Sequence, residues 1–329
     1  TSAPDRFTYT GVPSTSLLYP SATPFAGTAR LTSAGRTKAD TAALSAVDTI
    51  KFGEHWQLIA GLRWDDFRTT FDQKVPPISH FSTEDSMLSW RAGLVYKPVP
   101  AGSFYVAYGT SFNPSAETLT LAASSADLAP EKNVTYEIGT KWDINGGRLS
   151  LSGALFQIEK TNARVPDPNN PLFNILGGDQ RVRGFELGAA GYLTDAWELY
   201  AGYAFLDNQV VASTVASSVG EALGNVPRHS MNIWSSYRLP WHDVEIGGGM
   251  QYVSSRLAAS TVNAASGQFN RAPGYVTFQA MVKVPVRPGF SLQLNATNLG
   301  DVHYDDLLHP GHVVPGSGRT VLLSANFSL

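Results

Sequence analysis

About thirteen segments of this chain alternate apolar and polar residues with a period of two, each near the length a tilted strand needs to cross a bilayer. They cover residues 41–52, 56–70, 87–97, 104–112, 132–143, 148–160, 182–193, 197–210, 229–239, 243–255, 275–284, 290–298 and 320–329. In the last of them Val321, Leu323, Ala325, Phe327 and Leu329 share one face, and Thr320, Ser324, Asn326 and Ser328 the other. The one before it sets Phe290, Leu292, Leu294 and Ala296 against Ser291, Gln293, Asn295 and Thr297. Successive strand side chains point to opposite faces, so this is the pattern of a sheet between lipid and a wet lumen. The period alone also fits a soluble sandwich. No segment of comparable length reads as an amphipathic helix.

The connections decide between those two. Tight turns at 53–55, 98–103, 145–147, 194–196, 240–242 and 285–289 alternate with long segments at 71–86, 113–131, 161–181, 211–228, 256–274 and 299–319. Barrels of the outer membrane have short periplasmic turns and long extracellular loops, which predicts the direction of every strand. Trp56, Trp64, Trp90, Tyr96, Trp142, Trp197, Tyr203, Tyr237 and Tyr252 all fall on the apolar parity of their strands. Aromatic girdles at the two interfaces would place them there.

Composition agrees. Only 16% of the 329 residues are charged, against roughly 25% in soluble domains, and lipid exposure accounts for the deficit. No apolar run reaches the length of a transmembrane helix. The absence of cysteine removes disulfide and thiolate-metal chemistry, and a net charge of -3 lacks the basic footprint of a nucleic-acid binder. Residues 1–38 carry Pro4, Pro13, Pro20 and Pro24 without an apolar core, so they are expected to be an extracellular loop or irregular segment rather than a signal peptide. Either a leader has been removed or the chain starts inside a larger protein.

Several motifs point to one family. The end of the chain runs through Asn298, Leu299, Asp301 and Tyr304 into Gly316, Gly318, Arg319 and Thr320. Upstream stand LAPEKNVTYEIGTKW at 128–142, KTNAR at 160–164 and GGDQRVRGFELG at 177–188. These resemble the barrel of TonB-dependent outer-membrane siderophore receptors, most of all the catecholate-type branch, and the resemblance covers nearly the whole chain. Leu329 departs from the family's usual terminal Phe, although Phe327 keeps an aromatic on that face.

The resemblance implies an all-β fold: a transmembrane antiparallel β-barrel, of which residues 39–329 would be the C-terminal portion, about 13 strands of a total near 22 around a plugged lumen. About nine strands and the plug domain would lie outside this sequence. An odd strand count does not close a bacterial single-chain barrel. The implied function is an outer-membrane, multi-pass receptor and transporter for a ferric siderophore, energised through the TonB complex in the full-length protein. Iron would enter only inside the bound chelate, with no resident cofactor or metal, and outer-membrane lipid and lipopolysaccharide would surround the wall. A passive channel or porin and an adhesin-like structural barrel remain alternatives. No Gly-x-Ser-x-Gly elbow supports catalysis, and no enzyme activity is expected.

A ferric catecholate is an anion that brings its own iron ligands, so its receptor needs cations and aromatic faces. In the predicted loops these are Arg164, Phe173, Arg181, Arg271, His309 and His312. The last two lack a further metal-ligand type nearby in sequence, which favours solvent or ligand contact over a metal site. Arg63, Asp65, Arg91, Lys97, Glu137, Lys141, Glu186 and Glu198 have lumen parity and are expected in wall networks or against a plug. Glu137 and Lys141 stand about 13 Å apart along one strand, so neither can be the other's direct partner. Gly247, Gly248 and Gly249 lie in a strand without a following helix, which excludes a phosphate loop and suggests bending or close packing.

Overall fold

The computed structural model describes residues 5–11, 27–75, 78–115, 128–170, 174–263, 266–309 and 312–327. Its main element is one antiparallel sheet whose strands pair in chain order. It comprises β1 (Asp5–Thr10), β2 (Thr28–Phe52), β3 (Trp56–Gln73), β4 (Ser79–Val99), β5 (Gly102–Asn113), β6 (Glu131–Ile144), β7 (Leu149–Pro166), β8 (Asn174–Tyr192), β9 (Trp197–Ala212), β10 (His229–Arg238) and β11 (Glu245–Val253). Next come β14 (Tyr275–Arg287), β15 (Phe290–Thr297) and β18 (Thr320–Phe327). Two small ribbons stand in the long connections: β12 (Arg256–Leu257) with β13 (Arg271–Ala272), and β16 (Asp305–His309) with β17 (His312–Pro315). Among the described residues one 3-10 turn occupies Ala216–Ser218.

The thirteen predicted strands are all present as β2–β11, β14, β15 and β18. Two expectations need correction. Residues 1–38 were expected as loop, yet β1 and the first part of β2 lie there and pair from Asp5 with Ala34 to Thr10 with Thr28. The expected loops 71–86 and 161–181 are mostly strand as well, since β3 and β4 pair without interruption out to Gln73 with Ser79. Beyond the lipid both faces of a ladder meet water, so the pairing continues while the apolar alternation that reveals it stops. Hydrogen-bonding the backbone in place is a sufficient reason for the ladder to persist.

Register carries one face unbroken from strand to strand. On the apolar side Leu44, Trp64 and Leu88 form one row. Ile138, Leu155, Phe185 and Phe205 form another, and Met250, Phe278 stand side by side in a third. Leu62 is 57% exposed and Leu155 59%, where a sandwich would bury them. In lipid those side chains need no protein cover, but every backbone N–H and C=O needs a partner, at several kcal/mol each, and the ladders supply it. Two of the girdle indoles satisfy their N–H groups locally: Trp64 donates to Ser86 Oγ at 2.9 Å and Trp197 to Ser235 Oγ at 2.7 Å.

The opposite face lines the lumen with small and polar residues, and its rings lie flat where glycine makes room. A methyl group at Gly247 would come within 2.6 Å of the Trp234 indole, and one at Gly139 within 2.5 Å of the Tyr105 ring. Gly247 and Gly249 of the glycine run therefore serve close packing, by the Trp234 ring of the neighbouring strand.

Candidate functional site

Three motifs, at 128–142, 160–164 and 177–188, converge at the long-loop end of β6–β8, with β4 and β5 alongside. Glu131 opens β6 opposite Asn113 of β5 and faces the lumen. It is buried, and its carboxylate accepts from Lys160 Nζ at 3.0 Å and from the Arg164 backbone N–H at 3.0 Å. β7 reaches it by a bulge: register slips between Lys160 and Arg164, Asn162 takes φ 58°, and Ala163 is drawn inward against Gly178. Asn tolerates that left-handed conformation better than most residues. A side chain at Gly178 would meet Val165 at 2.7 Å and the Ala163 carbonyl at 3.0 Å, so that position needs glycine.

Arg164 donates through Nη2 to the Asn113 carbonyl at 3.2 Å, but its Nε is buried without a partner. Asp85, buried on the lumen face of β4, has an orphaned Oδ2. Both carboxylates stand above the apolar band. Burial raises the Asp85 pKa, only partly offset by the Arg164 charge. Burial also acts to raise Glu131, yet the Arg164 N–H and Lys160 together outweigh it and hold this carboxyl below its usual range. The Asp85 and Arg164 orphans are an acceptor and a donor that influence one another without bonding directly, an arrangement that a bridging water or a ligand oxygen satisfies. Because Glu131 is engaged by Lys160, the Arg164 guanidinium is the cation here that forms no ion pair among the described residues.

Lower on the same wall, Tyr105 stands between the two residues that could not reach each other. Its Oη donates to Glu137 at 2.6 Å, and Lys141 Nζ lies 5.7 Å from the ring centroid. Arg63 pairs with Asp65 at 2.7 Å. Arg91 lies across Gly61 beside that pair, and a hollow of about 310 Å³ is lined by Ser45, Gly61, Arg63, Ser89 and Arg91. Glu198 accepts from Tyr200 at 2.8 Å. Glu186 and Lys97 keep the parity expected of them, with Glu186 opposite Ala154 and Lys97 closing the turn through its N–H to the His55 carbonyl.

The other predicted ligand contacts do not gather. Arg181 lies within β8, opposite Glu159, on the outer face rather than in a loop over the lumen. Arg271 is exposed in the β12–β13 ribbon, where Nη1 donates to Ser255 Oγ at 3.5 Å. His309 and His312 face each other across the β16–β17 ribbon, while their side chains and all of Phe173 fall outside the described residues. Sequence reasoning passed over Asp85 and Asn113 and used Glu131 and Lys160 only as parts of motifs. The signal was present in the LAPE and KTNAR strings, but nothing in either announces that they meet.

The closing motif has a structural role that its residues state clearly. Asn298 is buried at φ 48°, donates to the Val302 and Ser317 carbonyls at 2.9 and 3.0 Å, and accepts the Val302 N–H at 2.9 Å. Asp301 accepts the Arg319 N–H at 2.9 Å, and Tyr304 lies over Gly316. Tyr304 also packs on Tyr275 at 4.2 Å. Arg256 stacks on Tyr275 and donates to the Asp305 carbonyl, joining the two ribbons. The Arg319 backbone N–H, followed by the nearby positive charges, holds the Asp301 carboxyl below its usual range.

A carboxyl lowered in this way contributes to order above its unfolded pKa of about 3.9, and the contribution is lost as pH falls through the lower folded value. Proteolysis of the 299–319 loop should therefore be flat from neutral pH to the ordinary carboxylate range and rise only below it. Asp301→Ala should raise cleavage at neutral pH and flatten the acid-side rise; an unchanged profile in the variant would remove Asp301 from this role.

Residues 3–299 match the family model described as TonB dependent receptor-like, beta-barrel. The chain belongs to this family. Barrels of TonB-dependent receptors are outer-membrane proteins, and the family consists of receptors and transporters rather than enzymes. Among curated relatives, the "Probable TonB-dependent receptor BfrD" of Bordetella pertussis is 35% identical over 326 residues, covering 92% of this chain and 43% of that protein. The crystal structure of the siderophore receptor PiuA from Acinetobacter baumannii superposes with a TM-score of 0.83 at 29% identity, over 94% of this chain and 46% of that one. The ferric-catecholate import receptor Fiu of Escherichia coli K12, in its closed form, gives 0.85 at 25%, over 99% and 50%. The chain thus spans half or less of the length of these TonB-dependent receptors.

Proposed function

We propose that this chain supplies the C-terminal part of the barrel of an outer-membrane receptor that captures a ferric siderophore, of the catecholate kind, and admits it with energy delivered through TonB. The observation that carries the proposal is the cluster of Arg164, Lys160, Glu131 and Asp85 on the lumen face above the membrane band. A guanidinium outside any ion pair among the described residues, beside a carboxyl whose pKa burial raises, favours an anion in that vestibule. The catecholate class draws its support from the family motifs and from the likeness to PiuA and Fiu.

In this proposal iron is cargo, held by the chelate, and the protein needs no resident cofactor. Lumen groups such as Arg63, Arg91, Glu137 and Lys141 face the plug, while lipid and lipopolysaccharide cover the outer face.

The test is intrinsic tryptophan quenching of the receptor in detergent by a ferric catecholate, with ferric hydroxamate and haem as controls. Saturable quenching by the catecholate at submicromolar concentration, and by neither control, is the expected result. Quenching by no chelate would overturn the ligand class, and conductance across a planar bilayer would then test a passive channel.

A further inference from the structure

Asp85 is the acid of the vestibule cluster that forms no ion pair among the described residues. It stands on the lumen face of β4, with Phe67 of β3 as its register partner and Met87, itself buried, one inward position below. Its Oδ2 is shut away from solvent without a partner, and so is Arg164 Nε. A carboxylate ionised in such a setting bears the cost of a buried charge, which a direct bond to Arg164 would relieve. That bond is not made. Arg164 gives Nη2 to the Asn113 carbonyl and its backbone N–H to Glu131.

The groups around Asp85 are committed elsewhere. Glu131 is held ionised by Lys160 and the Arg164 N–H. On β3 the neighbouring lumen-facing acid, Asp65, is bonded to Arg63. β5 and β6 bring Asn113 and Asn133 to this face, bonded to each other at 2.9 Å. The ion pairs of Arg68 with Asp66 and Glu84, and of His80 with Asp72, lie on the opposite face of the sheet. With Asp85 ionised, the two carboxylates cancel the charges of Lys160 and Arg164, and the cluster has no net attraction for an anion. With Asp85 protonated the cluster is positive, and Oδ2–H and Nε–H are two donors for one incoming oxygen. Burial favours the protonated form, opposed in part by the Arg164 charge.

We propose that Asp85 couples capture of the chelate to a proton: taking one from solvent, it donates Oδ2–H to the same chelate oxygen that Arg164 Nε binds. This rests on the siderophore-receptor reading above and adds a regulation to it. Binding and protonation strengthen each other, because linkage is reciprocal. Affinity falls as pH rises, since Asp85 loses the proton it has to carry, and is level below that range.

Tryptophan quenching by a ferric tris-catecholate chelate, titrated across pH for the wild type and Asp85→Asn, tests it. Asparagine places an N–H donor at the same point and has no proton to lose. The chelate's own titration is common to both proteins and cancels in the ratio of their dissociation constants. That ratio, wild type over variant, is expected to climb about tenfold per pH unit through the range where Asp85 ionises in the unliganded receptor, and to be flat below it. A ratio independent of pH overturns the coupling in favour of a water held between an ionised Asp85 and Arg164. Heat-modified mobility on gels reports folding. If the variant does not fold, infrared difference spectra of the wild type at the alkaline end of the range decide: the carbonyl stretch of a protonated carboxyl should grow on chelate binding, and no growth overturns the coupling. Failure of the wild type to bind any ferric chelate overturns the receptor reading and this inference with it, whereas binding with a flat ratio overturns this inference alone.

Discussion

Replacing Arg164 with alanine should weaken ferric-catecholate binding by about tenfold or more, the effect usual for removing a charged group from a desolvated contact. The side chain is held from several directions: its own N–H bonds Glu131, its Nη2 bonds the Asn113 carbonyl, and the bulge at Asn162 fixes where it leaves the strand. Truncation leaves the Glu131 contact intact, because that contact uses the backbone, so the barrel should survive. Arg164→Lys keeps the charge but not the planar fork and should recover only part of the affinity. Titration by tryptophan quenching gives the comparison, with heat-modified mobility as the folding control. Unchanged affinity in Arg164→Ala would take the cluster out of the binding site and leave it as a wall brace.

Asn298→Ala should destabilise the last extracellular segment by about 3 kcal/mol, from three hydrogen bonds near 1 kcal/mol each and buried partners left unmet. Alanine also fits φ 48° less well than asparagine. The consequence should be local. Val302 and Ser317 would lose their shared anchor, while β15 and β18 remain paired from Phe290 with Phe327 to Thr297 with Thr320. Limited proteolysis should cut within 299–319 many times faster with the heat-modified gel mobility unchanged. Asn298→Asp, which keeps the acceptor for the Val302 N–H and loses both donations, should fall between. Equal cleavage in all three proteins would mean that the ribbons, not Asn298, order the segment.

The membrane-crossing part of this fold was readable because lipid on one side and water on the other impose a two-residue period on every strand. Leu62 beside Arg63, and Ile138 beside Glu137, are enough to set a strand's faces. Outside the lipid that contrast disappears, so the upper parts of β2, β4 and β8 passed for loop although their backbones pair. The site was legible only in pieces for a different reason. Glu131, Lys160 and Gly178 belong to separate strings, and their meeting depends on a one-strand bulge that shifts register between Lys160 and Arg164. Arg181 was expected in a loop, where a residue has no face, and as the eighth residue of β8 it lies on the outer face of the sheet.

The flat rings over Gly139 and Gly247 set a clearance. Tyr105 and Trp234 would each project across the bore if they stood upright, and the missing side chains beneath let them become part of the wall's thickness instead. At those two points the wall turns a ring face, not a ring edge, toward the lumen, so an aromatic side chain adds to the wall without narrowing the space in front of it.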